Sequence, residues 1–423
     1  MQSRLTGGDY TGHPLPAKRA PTGPPVHVTK IVLFANTDWY LYNFRRSLAL
    51  ALHQAGHELL LLSPPGEYGA RLRALGLRWE AVPMDRRSLN PLREAAVLAH
   101  LWRLFRRERP DLVHGFTIKC AVYGSLAARA AAVPARVNAV TGMGYVFTST
   151  DAKARALRPL VRLLIRAALD GRDARLILQN PDDVAVFEQA RLVAPGHIRL
   201  IPGSGVDCVR FAPGESVGRG HAPDADADTT QPIADTPPFR VLLAARLLWD
   251  KGLAEFVDAA RRLHGEGRAI DFLLAGDPDP GNPAAVPEAT VHGWVTEGLL
   301  QWLGHVDDMP ALLRSVDAVV LPSYREGLPK GLIEAAACAL PLVTTDVPGC
   351  REVVTDGVDG LLVPVRDADA LATAIARLHD DPTLRARLGT AARQHALDEF
   401  DERIVIARTQ AVYQELLDPP PSS

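Results

Sequence analysis

The chain reads as an α/β protein with two doubly wound parallel sheets in tandem. Short apolar strands alternate with longer helical patterns along nearly the whole sequence, and one stretch without periodicity interrupts them near the middle. Length agrees, since 423 residues exceed one ordinary domain and suit two.

The first series opens with the buried-type strand Lys30-Ile31-Val32-Leu33-Phe34 and the polar turn Asn36-Thr37-Asp38. A helix is predicted from Leu41 to Ala55, closed by Gly56, and a strand from Glu58 to Ser63. Helices follow over 71–75, 91–107, 121–132 and 152–169, with extended segments at 77–82, 111–114, 136–140 and 175–179. The second series places strands at 239–244, 271–275, 316–321, 342–344 and 360–363, with helices between them. Residues 1–28 hold Pro, Gly and scattered charge without an apolar core region, and are expected to form a disordered tail rather than a secretory signal. The expected organisation is a domain over 29–206, a Pro-, Asp- and Thr-rich linker over 207–238 and a second domain over 239–397. A helix within 398–423 would cross back to the first domain. Two Rossmann-like domains so arranged face each other across a cleft, and ligands of such sheets bind at the carboxyl ends of the strands.

The four cysteines, Cys120, Cys208, Cys338 and Cys350, are far apart and form no CxxC pair, which argues against a disulfide framework or a zinc site. No apolar run reaches the ~18–20 residues that span a bilayer. The net charge of −2 conceals a split. Residues 1–210 carry 29 Lys and Arg against 16 Asp and Glu, whereas the remainder carries 18 against 33. The basic half predicts an anionic partner. Nucleic acid is not expected, because no stacking platform or binding motif accompanies the charge.

Chemistry concentrates after two strands of the second series. Arg246 and Lys251 leave a strand end together, where two cations can neutralise a departing diphosphate. Downstream, Pro322-Ser323-Tyr324-Arg325-Glu326-Gly327-Leu328-Pro329-Lys330-Gly331-Leu332-Ile333-Glu334 leads from a strand into a helix start, where free amides favour an anion. Glu326 precedes that helix and Glu334 lies about one turn inside it, so the carboxylates can accept from hydroxyls at two ends of one extended ligand.

With seven residues between them, Glu326 and Glu334 resemble the E-x7-E motif of family 4 glycosyltransferases with the GT-B fold. Arg246 and Lys251 lie where that family carries its phosphate-binding pair. The strings Gly304-His305-Val306-Asp307-Asp308-Met309, Thr345-Asp346-Val347-Pro348-Gly349 and Asp356-Gly357-Val358-Asp359-Gly360 are similar to it as well. The resemblance covers about residues 29–416. It implies that Arg246 and Lys251 bind and stabilise the leaving diphosphate and that Glu334 binds the ribose. Glu326, with Gly327, Leu328, Pro329, Lys330, Gly331 and Leu332, would meet the sugar and phosphates, His305 and Val306 would flank the base, and His114 would lie near the reacting centre. It further implies a retaining, metal-independent transfer of a hexose or N-acetylhexosamine from a nucleotide-diphosphate sugar, with uridine favoured by family frequency. No metal site, cofactor or covalent nucleophile is expected.

The first-domain loop Asn36-Thr37-Asp38-Trp39-Tyr40-Leu41-Tyr42-Asn43-Phe44-Arg45 lacks the family's paired glycines, and a second first-domain loop runs Thr141-Gly142-Met143-Gly144-Tyr145. They resemble the subgroup that extends undecaprenyl-diphosphate-linked sugars. Asn36, Tyr42, Arg45, Lys119, Thr141 and Gly142 are therefore expected on the acceptor side, the acceptor being a lipid-linked or other saccharide. Basic residues interleaved with apolar ones from Lys153 to Arg166 point to an anionic membrane surface as a further partner, hence to a cytoplasmic enzyme peripheral on the inner face of the cytoplasmic membrane. Two other readings stay open: a sugar-nucleotide epimerase of the same fold, and a non-catalytic partner in a polysaccharide assembly complex.

Overall fold

The computed structural model describes residues 28–85, 88, 90–140, 162–214 and 238–418. Two all-parallel sheets organise these residues. The first contains β1 (Lys30–Phe34), β2 (Glu58–Ser63), β3 (Trp79–Ala81), β4 (Leu112–Phe116), β5 (Ala135–Ala139), β6 (Ala174–Leu178) and β7 (Ile198–Leu200), in the order β3-β2-β1-β4-β5-β6-β7. The second contains β8 (Phe239–Ala244), β9 (Ile270–Ala275), β10 (Gln301–Gly304), β11 (Ala318–Leu321), β12 (Leu342–Thr345) and β13 (Leu361–Val363), in the order β10-β9-β8-β11-β12-β13.

Both faces of each sheet are covered, which is why the central strands read as unbroken apolar runs rather than alternating ones. In β2, Leu59 and Leu61 join one core with Ile31, Leu33 and Val137, while Leu60 and Leu62 join another with Val32, Phe34 and Leu104. In each sheet the strand order reverses beside the first strand, between β1 and β4 and between β8 and β11. The loops leaving those strands therefore open at a switch point, where a crevice forms.

Several elements differ from the sequence expectation. The helix expected from Leu41 to Ala55 is two helices, Asp38–Phe44 and Arg46–Gln54, broken at Arg45 with φ −127° and ψ 1°. Strands β7 and β10 were not expected: β7 has three residues and no residue of β10 is buried, so neither carries an apolar run. Between β12 and β13, turns stand in place of the expected helix. Of the helix expected over 152–169, residues 162–169 are helical, and the rest lie outside the described residues, as do the tail before Val28 and most of the 207–238 segment.

The helix Glu402–Leu417 packs on the first sheet. Its Val405, Val412 and Tyr413 are buried with Ile31, Leu33 and Val137, and Glu415 pairs with Arg175 of β6 at 3.1 Å and Arg199 of β7 at 2.6 Å. Just before it, the Phe400 carbonyl accepts from the Val206 amide at 2.9 Å, and the Glu402 amide donates to the Val206 carbonyl at 3.0 Å. The chain thus crosses between the sheets twice at one place.

At the carboxyl end of β1, Thr37 caps the Asp38–Phe44 helix by accepting from the Tyr40 amide at 3.0 Å. The buried Asp38 carboxylate accepts from the amides of Tyr68 and Gly69 at 2.8 and 2.9 Å. The carboxylate gathers amides at two helix starts, which fixes the short helix that supplies one wall of the cleft.

Candidate active site

A cleft of about 300 Å³ lies between the two sheets at the carboxyl ends of their central strands. Tyr40, Phe44, Arg45 and Gln179 line it from the first sheet's side, and Gly203 to Gly205 line it from the crossing segment. Arg246, Glu326, Gly327, Leu328, Lys330 and Ile333 line it from the second.

Two interlocked loops build the second wall. The loop after β8 ends in Gly252, at φ +74°, where a Cβ would lie 2.2 Å from the Pro322 carbonyl oxygen. Only glycine lets the two loops approach this closely. The Tyr324 amide then donates to the Asp250 carbonyl at 2.9 Å. On the other side, Gly349, at φ +83°, would bring a Cβ to 2.6 Å from the Glu326 carbonyl oxygen. That close approach is what the Pro348-Gly349 string of the sequence supplies.

Lys251 forms an ion pair with Glu326, and the Ser323 hydroxyl donates to the same Glu326 oxygen at 2.7 Å. Arg246 pairs with Asp279 at 2.7 Å. Both cations are therefore held by carboxylates at the cleft, and a diphosphate entering there competes with those carboxylates for the same donors. Lys330 donates to the Asn43 carbonyl at 2.8 Å, lies 5.1 Å from the Phe44 ring centre and stands 3.5 Å from Glu334. Burial pushes the Glu334 carboxyl above its ordinary value, with Lys330 and Arg210 opposing the shift. A partly desolvated carboxylate of this kind gains most from hydroxyl donors.

Not every expected site residue meets in the cleft. Arg45, Arg246, Glu326, Gly327, Leu328 and Lys330 line it, and Lys251 joins through Glu326. Pro329 is the N-cap residue of the Lys330–Ala337 helix, which carries Gly331 and Leu332, and Leu332 is buried in the core of the second half. His305 is exposed and holds Asp277 at 2.9 Å, and Val306 packs against the same core. Asn36 and Tyr42 are partly buried and do not line the cleft, and Tyr42 lies 5.3 Å from the Tyr68 ring. Lys119 is engaged elsewhere, by Glu94 at 2.9 Å and by the carbonyls of Asp85 and Ser88, so its ammonium braces its own half. Thr141 and Gly142 lie outside the described residues.

His114 does not line the cleft. Strand alternation in β4 sends it to the face covered by the Glu402–Leu417 helix, where it is 1% exposed and its Nδ1 shares a 2.6 Å hydrogen bond with the Tyr413 hydroxyl. Its ring lies 4.0 Å from that of Phe116, which also meets the Arg45 guanidinium at 4.4 Å. Burial, and then the charge of Arg45, hold the imidazole well below its ordinary pKa. His114 thus sits behind Arg45, with its Nε2 buried and unpartnered among the described residues.

Sequence reasoning missed Tyr40, Phe44, Gln179, Gly203, Ser204, Gly205 and Ile333 as lining residues. Asn180-Pro181, a cap followed by a proline at the first helical position, was a legible helix start that places Gln179 at the cleft.

Two parallel, Rossmann-like sheets facing a cleft are the GT-B fold. A family profile described as "Glycosyl transferases group 1" matches residues 238–381, and one described as "Glycosyl transferase 4-like" matches residues 30–180. The chain belongs to this family of glycosyltransferases. It is 29% identical over 379 residues to an N,N'-diacetylbacillosaminyl-diphospho-undecaprenol alpha-1,3-N-acetylgalactosaminyltransferase of Campylobacter jejuni, covering 89% of this chain and 96% of the relative. It is 29% identical over 307 residues to a UDP-Gal:alpha-D-GlcNAc-diphosphoundecaprenol alpha-1,3-galactosyltransferase of Escherichia coli, covering 72% and 75% of the two chains. Among solved structures, Anabaena HepE in complex with UDP and glucose superposes with a TM-score of 0.73 at 20% identity, covering 92% of this chain and all (100%) of that one. A Rickettsia africae glycosyltransferase superposes equally well, at 0.73 and 16% identity, covering 93% and 100%.

The buried His114 makes stability depend on pH. Its folded pKa lies below its unfolded value of 6.5, so below pH 6.5 the unfolded chain binds the extra proton and stability falls as pH falls. The expected slope from this group is up to about 1.4 kcal/mol per pH unit. Urea unfolding at pH 5 and pH 7.5 should show a smaller difference for His114→Gln than for the wild type; an equal difference contradicts this assignment.

Proposed function

We propose that this glycosyltransferase moves a hexose or N-acetylhexosamine from a UDP-linked donor to a polyprenyl-diphosphate-linked saccharide, with retention at the anomeric carbon. The observation that carries the reading is the cationic lining of the cleft, with Arg246 and Lys330 on one wall and Arg45 on the other.

Arg246 and Lys251 are suited to the donor diphosphate, whose charge grows as the glycosidic bond breaks. Glu326 and the backbone after it would orient the sugar, and Glu334 would take the ribose hydroxyls. Retention without an enzymic nucleophile needs the departing diphosphate oxygen to accept the proton of the incoming hydroxyl on the same face. The cations support that role by holding the oxygen in place. No step in this scheme requires a metal ion.

Arg45 supports an anionic acceptor. It is 4% exposed, its guanidinium donates to the Tyr40 hydroxyl at 3.1 Å, and its Nε has no partner. Among the described residues no carboxylate pairs with it. A buried, unneutralised guanidinium at a cleft wall is costly unless an anion meets it there. The diphosphates in the names of the two bacterial relatives are such anions.

The decisive assay supplies a polyprenyl-diphosphate saccharide with a panel of nucleotide sugars and reads products by mass. One added hexose or N-acetylhexosamine is expected from a UDP sugar. Glu326→Ala should lower kcat at least about 100-fold, and Arg45→Gln should raise the acceptor KM about tenfold while sparing UDP affinity. Full transfer by Glu326→Ala overturns the site, and consumption of donor without acceptor points instead to an epimerase.

We also propose that the first half rests on an anionic membrane surface. Leu163 and Leu164 are 64% and 40% exposed beside Arg162 and Arg166, and Leu92 and Trp102 are 82% and 41% exposed beside Arg93, Arg103 and Arg106. No described helix is long and apolar enough to cross a membrane. Co-sedimentation with liposomes should rise with anionic lipid content and fall for Leu163→Ser/Leu164→Ser; equal binding to neutral liposomes contradicts the proposal.

A further inference from the structure

The helix Pro181–Gln189 follows β6 in the first half, yet its first turn grips the loop that carries Glu326 in the second. Asn180, fully buried, caps this helix by accepting from the Asp183 amide at 2.7 Å. Its side-chain nitrogen donates to the Gly327 carbonyl at 2.9 Å and to the Asp183 carboxylate at 3.1 Å. The amide's oxygen and both its hydrogens are thereby engaged. The other Asp183 oxygen accepts from Arg325 at 2.8 Å. Arg325, Asp183, Asn180 and Gly327 form a closed ring, and Glu326 lies between the two points at which its loop is held.

From below, the Glu326 amide donates to the Pro348 carbonyl at 3.3 Å, and Gly349 presses on the carbonyls of Glu326 and Gly327. The loop is therefore clamped between Gly349 of its own half and Asn180 of the other. With the backbone fixed on both sides of Glu326, its carboxylate is aimed by Lys251 and Ser323. A shift of about 1 Å in such a group can cost ~100-fold in rate.

We propose that Asn180 is a positioning residue for sugar transfer: its side-chain amide holds the Gly327 carbonyl and so sets Glu326 against the reacting sugar only when the two halves are docked. Asp183 supports it by pairing with Arg325. Docking of the halves is then linked to the geometry of the donor loop, because one amide serves both. The inference rests on the donor-site reading given above and adds a residue from the opposite half.

Serine separates the two tasks of Asn180. It caps a helix nearly as well as asparagine but cannot reach Gly327. Asn180→Ser should keep the wild-type thermal midpoint and UDP affinity while kcat falls about 100-fold with little change in donor KM. Arg325→Gln, at a half-exposed position, releases the second grip and should lower kcat several-fold in the same pattern. A merely structural, capping role would be rescued by serine, leaving both the midpoint and kcat of Asn180→Ser at their wild-type values. Wild-type kcat in both variants overturns the proposal. Glu326→Ala, measured alongside, separates the failures: if it is inactive while Asn180→Ser is not, only the positioning role falls, and if it too is active, the donor site itself is wrong.

Discussion

The loop from Ser323 to Pro329 has no regular ladder of its own, so everything the cleft can do depends on the contacts that fix it. Those contacts come from four directions. The loop after β8 meets Pro322 through Gly252 and takes the Tyr324 amide on Asp250. The Pro348-Gly349 turn packs beneath, Asn180 and Asp183 hold it from the other half, and Lys251 with Ser323 orients the Glu326 side chain. Irregular backbone between a strand and a helix can serve as a precise site when tertiary contacts fix it on several sides.

Charge follows the same plan. The second half carries most of the acidic residues, yet the wall it presents to the cleft holds Arg246 and Lys330, with Lys251 behind Glu326. The first half contributes Arg45, set on Phe116 and backed by His114, which desolvation and the nearby guanidinium hold neutral. A neutral histidine there avoids a second positive charge against Arg45 while still bonding Tyr413 of the returning helix. That helix thus reaches the cleft indirectly, through the packing behind one of its cations.

Much of this was legible in the sequence. The alternation of strands and helices gave both sheets, because parallel strands buried on two faces are apolar throughout. The spacing of Glu326 and Glu334, with Arg246 and Lys251 upstream, located the wall supplied by the second half. Three things were hidden. The break at Arg45 lacks glycine or proline, so a continuous helix was the natural reading. The face of β4 on which His114 lies depends on which helix covers it, and that helix is nearly 300 residues away in sequence (|i−j| is 299). The grip of Asn180 on Gly327 joins residues 147 apart, and no local pattern can encode such a meeting. What local chemistry does show is the cap itself, Asn180 before Pro181.

The central claim is that the two loops after β8 and β11, with the first turn of the Pro181–Gln189 helix, form one donor site. Amide hydrogen exchange with and without UDP-sugar tests it most directly. Protection concentrated in residues 245–252 and 325–334, accompanied by slower exchange at 180–184, is the predicted result. Protection confined to other segments, or binding that leaves all three unchanged, would contradict the account.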